Sequence, residues 1–316
     1  MFFKKKYYQI NIFFLFVLTF LFYFFGKEFC SYLGIEWAIK YPKQLVFPLK
    51  IYISSLVKWL MDEAHFLIFS FKDMTRAISW LIEQPYQIIL SLFANGFYRG
   101  LGQDAQLILA PLSWIAIIMI ITSLAIYTKD KALVLLVSLS FFYLAIFGQW
   151  DSAMITLSSI VIAVPIGVIF GLFLGIASYK SKRVEQTIKP VLSLMQTIPV
   201  FAYLVPILVM FGFGPVSALI ATVIYAMPPM VYTTLLALKS VDSQIKDFGV
   251  MTGCTNRQLM WKVLIPSSRS TIMVGVNQVI MLSFNMVIIA SMIGAGGLGY
   301  DVLTSLRKLD IGGGIE

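Results

Sequence analysis

Apolar runs without a single Asp, Glu, Lys or Arg dominate the chain, at residues 7–26, 105–128, 132–150, 152–179, 190–238 and 270–300. About 20 apolar residues in a helix cross the hydrocarbon core of a bilayer, so most of these runs read as one span each. The 49-residue run 190–238 carries Gly212, Gly214 and Pro215 near its centre and reads as two spans joined by a tight turn. The pattern therefore predicts an all-α polytopic membrane protein with about seven transmembrane helices.

Residues 27–106 break this pattern with short apolar stretches, 15 of the 39 charges and the only histidine, His65. Ile53, Leu56, Val57, Leu60, Met61 and Ala64 recur at the spacing of an amphipathic helix. A second run, Pro85 to Tyr98, is too short to span comfortably. Two readings stand for this region: helices lying in the outer membrane interface, or a docking surface for an external partner. The chain thus divides into an anchor at 1–26, an extracytoplasmic amphipathic region at 27–106, two plain anchor helices within 107–149, and a core at 150–316. In that core the spans contain Pro and Gly and the loops lengthen.

Composition supports the membrane assignment, since 59% of the 316 residues are hydrophobic and 12% charged. A basic net charge of +9 would suit nucleic acid only if the cations were clustered in water. They distribute instead as the positive-inside rule requires. With Lys4, Lys5 and Lys6 holding the N-terminus in the cytoplasm, strict alternation leaves 14 basic and 4 acidic residues inside, against 10 basic and 11 acidic outside. The expected location is the cytoplasmic (inner) membrane, multi-pass, with the lipid bilayer as first partner and no nucleic acid. No small-residue cleavage site follows Gly26, which disfavours a removed signal peptide.

Several chemistries are excluded. The chain has no G-x-x-x-x-G-K-[ST], no G-x-S-x-G and no H-E-x-x-H. Gly294 to Gly299 fit a loose G-x-G-x-x-G but follow a membrane span, not a β-strand, and so fail as a dinucleotide fingerprint. Cys30 and Cys254 fall on opposite sides of the membrane, and no metal-ligand spacing exists. No catalytic residue, metal or bound cofactor is expected, and nucleotide energy must come from a partner.

Two groups of residues could carry transport. The first contains Gln196, Pro199, Pro206, Pro228 and Pro229, where each proline removes a helical hydrogen bond. These are either packing kinks or the lining of a moving pore. On the 270–293 span, Gln278 and Asn285 lie seven residues apart on one face, with Asn277 beside the first. Carboxamides facing lipid would lose their partners, so this face serves as interhelical glue or lines a pathway.

The second group lies in the long cytoplasmic loop 239–269. A short helix through Gln244, Phe248 and Met251 stops at Gly253, and a second restarts at the capping box Thr255-x-x-Gln258 and ends at Pro266. Two short helices meeting at a Gly elbow form a knob with Phe248, Met251, Leu259 and Met260 as apolar anchors among Lys246, Asp247, Arg257 and Lys262. It suits docking into a groove on a soluble partner, or lies on the inner membrane surface.

At this loop the chain resembles the permease subunits of ABC importers, whose signature runs E-A-A, three residues, Gly, about nine residues, then I-x-L-P. Asp247-Phe248-Gly249-Val250-Met251-Thr252-Gly253 and Lys262-Val263-Leu264-Ile265-Pro266 match its spacing, with Asp247 for Glu and Phe248 for Ala. Further resemblance to the glycine betaine/L-proline type rests on Leu194 to Pro199, Phe201 to Pro206, Met227-Pro228-Pro229, Thr271 to Gln278, Met286 to Gly294 and Leu309 to Gly312. It covers 150–316 densely and 75–149 loosely, and leaves 1–74 unmatched.

The resemblance implies a type I transmembrane domain working as a pair with a second permease copy. Two cytoplasmic ATPase subunits would grip the loop through Asp247, Phe248, Gly249, Met251, Gly253, Arg257 and Pro266 and would hold the ATP and Mg. A periplasmic or tethered binding protein would deliver a compatible solute such as glycine betaine, proline betaine, choline, carnitine or trimethylamine N-oxide. The family pattern has one more span after Asp310, so the resemblance implies residues beyond 316. The rival, an ion-coupled secondary transporter or channel, needs a charged coupling site, and the expected spans contain no charge.

Overall fold

A computed structural model describes residues 2–32, 46–63, 65–66, 69–99 and 106–315. The chain forms two units, 1–64 and 65–316. In the first, helix α1 (Phe2–Tyr32) is 31 residues long and continues past the expected end of the anchor at Gly26. At about 1.5 Å per residue it exceeds the ~30 Å hydrocarbon core. Helix α2 (Leu49–Asp62) realises the amphipathic stripe as far as Met61; Ala64 lies outside the described residues.

The second unit starts with a two-residue pairing of β1 (His65–Phe66) and β2 (Phe69–Ser70) that leads into α3 (Phe71–Leu90). Ser70 and Asp73 cap α3 reciprocally: the Asp73 amide donates to the Ser70 hydroxyl at 3.1 Å, and the Ser70 amide donates to the Asp73 carboxylate at 3.2 Å. Beyond it, β3 (Phe97–Arg99) pairs antiparallel with β4 (Gln106–Leu109).

Helix α3, which falls within the expected region 27–106, belongs to the larger unit. Its Tyr86 is buried against Ala163 and Leu219, and Ile78 and Ile82 pack on the cluster around Tyr203 and Ala221. The expected short run Pro85–Tyr98 begins inside this longer helix, which carries Pro85 within it, continues as a π-helical turn at Ser91–Asn95 and ends in β3. The run looked short because polar residues on the solvent face of α3 hide its apolar face from a test for continuous hydrophobicity.

Helices α4 (Trp114–Ile126) and α5 (Lys131–Ile146) form an antiparallel pair. Asp130 caps α5, accepting from the Ala132 amide at 2.9 Å, and Thr122 and Ser138 share a hydrogen bond of 2.9 Å across the pair. At 13 and 16 residues both are shorter than a full span.

Three long helices make the core: α6 (Trp150–Lys180), α9 (Pro215–Lys239) and α13 (Arg269–Ala290). Lipid tails are as apolar as leucine, so helices in a bilayer associate where small residues allow close approach. Gly171 and Gly175 of α6 do this against α9, where an added Cβ would come within 2.6 Å of Met230 and 2.5 Å of Thr234. Gly275 of α13 packs so closely on Thr233 of α9 that a Cβ there would collide with the hydroxyl.

Between α6 and α9, the expected straight span beginning near residue 190 is instead a broken one. Helices α7 (Lys182–Thr197) and α8 (Val200–Phe211) meet at 106°. Pro199 causes the break: it cannot donate a helical hydrogen bond, and it pushes Ile198 into extended backbone, ψ 131°. Among the described residues, four helices are long and apolar enough to cross a membrane, or five if the bent pair is counted as one span. Adding α4 and α5 gives the seven apolar elements that the sequence predicts.

Candidate functional site: a polar cavity and the loop between its walls

A cavity of about 650 Å³ opens among α7, α9 and α13. Its lining is Gln196 from α7; Pro229, Tyr232 and Thr233 from α9; and Gln278, Met281, Leu282 and Asn285 from α13. None of these eight side chains is charged. Gln278 and Asn285 project from one face of α13, as their spacing predicts, with Met281 and Leu282 on the same face between them.

Of the other residues considered for this path, Pro228 is fully buried, turned away from the cavity beside Pro229. Pro199 forms the break, and Pro206 lies on the exposed side of α8. Asn277 is exposed next to Met281, with its amide nitrogen 4.0 Å from the sulfur.

Local bonds hold these walls in place. The Thr233 hydroxyl donates to the Pro229 carbonyl at 2.9 Å, beside the backbone that the two prolines leave without donors. The Tyr232 hydroxyl donates to the Lys189 carbonyl at 3.0 Å and lies 2.8 Å from the Ser193 hydroxyl, joining α9 to α7. Across the break, the Tyr203 hydroxyl donates to the Met195 carbonyl, so α8 remains tied to the last turn of α7.

One turn beyond Lys189, Glu185 accepts from both Lys189 and Lys239 at 2.6 Å. Those two hydrogen bonds, Lys189 first, hold its carboxyl at about 2, well below the usual range. Tyr232 and this ionic cluster have no signal in the local sequence, because the contacts join residues 43 and 54 positions apart. Met281 and Leu282 were legible from the Gln278–Asn285 spacing.

The loop predicted as a knob leads directly from the cavity wall α9 to the cavity wall α13. Asp242 caps α10 (Ser243–Met251), accepting from the Gln244 amide at 3.0 Å. Gly253 then turns the chain with φ +74°, a conformation unfavourable to residues with a Cβ. The capping box forms as its sequence predicts: the Gln258 amide donates to the Thr255 hydroxyl at 3.3 Å, and the Thr255 amide to the Gln258 side chain at 2.9 Å.

From there α11 (Asn256–Gln258), a wider π-helical stretch (Leu259–Leu264) and α12 (Ile265–Ser267) follow without interruption. Pro266 therefore does not end the helix, as its sequence position suggests. It lies in the last turn of this continuous helical run, and the chain breaks at Ser268 before α13.

The surface of this knob is partly as expected. Phe248 and Met251 are 67% and 86% exposed, and Asp247 and Arg257 also face outward. Met260, however, is buried with Ile176, Leu238, Val241 and Leu264, and Leu259 packs on that cluster. The expected anchors Leu259 and Met260 thus fasten the knob to the core, while Val250 and Trp261 take their place on the exposed face. Gly249 is buried: a Cβ there would come within 2.5 Å of Leu259, so α10 rests directly on the second helix.

The bundle thus holds an uncharged cavity of mixed polar and apolar lining, and an exposed helical loop joins two of its walls. Residues 163–315 match the family described as binding-protein-dependent transport system inner membrane component. The chain is 40% identical over 249 residues to the trimethylamine N-oxide transport system permease protein TmoV of Pelagibacter ubique, covering 78% of this chain and 35% of that protein. It is 33% identical over 280 residues to TmoV of Ruegeria pomeroyi, covering 89% and 41%.

With the glycine betaine transport system permease protein OpuAB of Bacillus subtilis it shares 34% identity over 227 residues, covering 72% and 78%. The chain belongs to this family of inner membrane transport components. It spans about two fifths or less of the length of the two TmoV relatives.

Proposed function

We propose that this chain is the membrane-spanning permease subunit of an ATP-binding-cassette importer. It carries a small compatible solute of the glycine betaine, proline betaine, choline or trimethylamine N-oxide type. The observation that supports this most is physical continuity: α9 and α13 line the cavity, and the exposed loop 242–266 is the segment between them. Force applied to that loop acts directly on two cavity walls.

In this reading the chain has a type I arrangement and pairs with a second permease copy. Two ATPase subunits on the cytoplasmic side engage Phe248, Met251, Asp247 and Arg257 and bind the ATP and Mg. The chain itself holds no nucleotide and is not an enzyme. Lys4, Lys5 and Lys6 keep the N-terminus in the cytoplasm, and a binding protein delivers solute from outside. When the ATPases close, the two knobs approach, and α9 and α13 turn so that the cavity changes the side it faces. Gln196, Gln278 and Asn285 offer neutral donors and acceptors to a dipolar solute, and Pro229, Met281 and Leu282 offer apolar surface to its methyl groups.

The test is uptake of labelled trimethylamine N-oxide and glycine betaine into vesicles containing this chain, its ATPase and its binding protein. Uptake that requires internal ATP and the binding protein is the predicted result. Uptake driven by an ion gradient without ATP would overturn the reading.

A further inference from the structure

Which solutes the cavity accepts depends on where charge sits on its three walls. Helices α7, α9 and α13 carry five cations, Lys182, Arg183, Lys189, Lys239 and Arg269, and one carboxylate, Glu185. Lys239 and Arg269 flank the exposed loop, and Glu185 and Lys189 are tied to Lys239, so this charge gathers at one end of the walls. Glu185 is not free to balance an incoming cation, because Lys189 and Lys239 both bond its carboxylate at 2.6 Å. Lys239 lies seven residues beyond Tyr232 on α9, about 10 Å along the helix axis.

A cation leaving water for a partly apolar cavity needs a counter-charge or a cage of aromatic rings. The lining offers neither: none of its eight side chains is charged, and Tyr232 is the one aromatic ring among them. The Tyr232 and Thr233 hydroxyls both donate to backbone carbonyls. What remains are the carboxamides of Gln196, Gln278 and Asn285, which bond to either sign of charge and neutralise none.

We infer that this cavity admits small dipolar solutes of zero net charge and rejects net cations of the same size and shape, with Lys189 and Lys239 setting the preference. A zwitterion or an amine oxide brings its own counter-charge, so the basic ends of the walls cost it little. Choline has the same trimethylammonium head as glycine betaine but no negative group, and it meets positive charge that nothing offsets. The inference rests on the importer reading for the solute class and narrows it: glycine betaine, proline betaine and trimethylamine N-oxide are accepted, and choline is not.

The experiment uses the full chain assembled with its ATPase in vesicles, without nucleotide or binding protein, so that neither imposes a selectivity of its own. Leu282→Cys, with Cys30→Ser and Cys254→Ser, places one thiol in the cavity, and its rate of reaction with uncharged N-ethylmaleimide is measured. Glycine betaine and choline chloride are compared at equal concentration, with sodium chloride equalising ionic strength. Glycine betaine should slow labelling several-fold more than choline does. Lys239→Gln and Lys189→Gln each remove one cation and leave the other on Glu185, and in both choline should approach the protection that glycine betaine gives. In Lys239→Arg it should not.

Equal protection by the two solutes before the lysines are changed would overturn the inference. So would choline protection that stays the same in both Gln variants, or no protection by either solute. These results do not depend on ATP, so they are distinguishable from a loss of ATP-dependent uptake, which would overturn the importer reading.

Discussion

Glu185 and Lys239 meet at 2.6 Å although 54 residues separate them, and this contact fixes the start of α7 against the end of α9. Because Glu185 is also held by Lys189, its carboxyl titrates at about 2 in the folded chain, against an ordinary value of 4.5. A depressed carboxylate stabilises the fold fully above its unfolded value and loses that contribution as pH falls through the folded one. Glu185→Gln should therefore lower the Tm of the purified chain at pH 7. The difference from wild type should shrink from about pH 4.5 downward and be gone near pH 2. A difference that persists unchanged at pH 2 would show that the carboxylate charge is not what joins the two helices.

Gly253 carries the turn of the exposed loop at φ +74°. A residue with a Cβ pays about 1–2 kcal/mol in that left-handed region. Apart from its own chain neighbours, no atom lies within 4 Å of where the Cβ would be, so the cost comes from the local backbone conformation and not from a packed neighbour. Gly253→Val should reorient α10 while the core Tm changes by little, and should reduce recovery of the ATPase partner with the chain in pull-down. Unchanged partner recovery and unchanged ATP-dependent uptake would remove the loop from the coupling role.

Gly275 and Thr233 set the spacing of the two cavity walls. A methyl group at 275 collides with the Thr233 hydroxyl, and overpacking of this kind costs about 1–3 kcal/mol. Gly275→Ala should lower the Tm, and the double variant with Thr233→Ser should stay low, because the hydroxyl remains. Thr233→Ala in the same background should recover part of the loss. Thermal unfolding of the three variants distinguishes these outcomes.

Gln278 and Asn285 present carboxamides to the cavity, and each lost hydrogen bond to a dipolar solute is worth about 0.5–1.5 kcal/mol. Gln278→Leu and Asn285→Leu should each slow uptake by up to about tenfold, with Tm unchanged or slightly raised. Uptake at the wild-type rate in both variants would place the solute path elsewhere.

Much of this architecture is legible in the residue pattern. The charge-free runs give the spans, and the seven-residue spacing of Gln278 and Asn285 gives one cavity wall. Thr255 and Gln258 give the start of the second loop helix, and Gly253 gives the elbow. In each case the signal is local, set by residues within one continuous stretch of chain. The bend at Pro199 was visible as a breaker, but its 106° angle depends on Tyr203, Tyr232 and Glu185 gripping other helices. The burial of Met260 and the exposure of Trp261 were not legible, because the π-helical stretch rotates side chains away from their positions on an ordinary α-helix. Helix α3 escaped notice as part of the core because its apolar face is visible only at helical period, within a segment rich in charge.

The central claim is that the loop 242–266 changes which side the cavity faces. The most direct measurement places one cysteine in the cavity by Gln278→Cys, with Cys30→Ser and Cys254→Ser, in vesicles containing the assembled transporter. An impermeant thiol reagent is then added to one side or the other. The account predicts labelling from one side in the nucleotide-free state and from the opposite side when ATP and vanadate trap the closed state. It also predicts loss of that switch when Gly253→Val is added. Labelling from the same side in both states, with the intact loop, would contradict it.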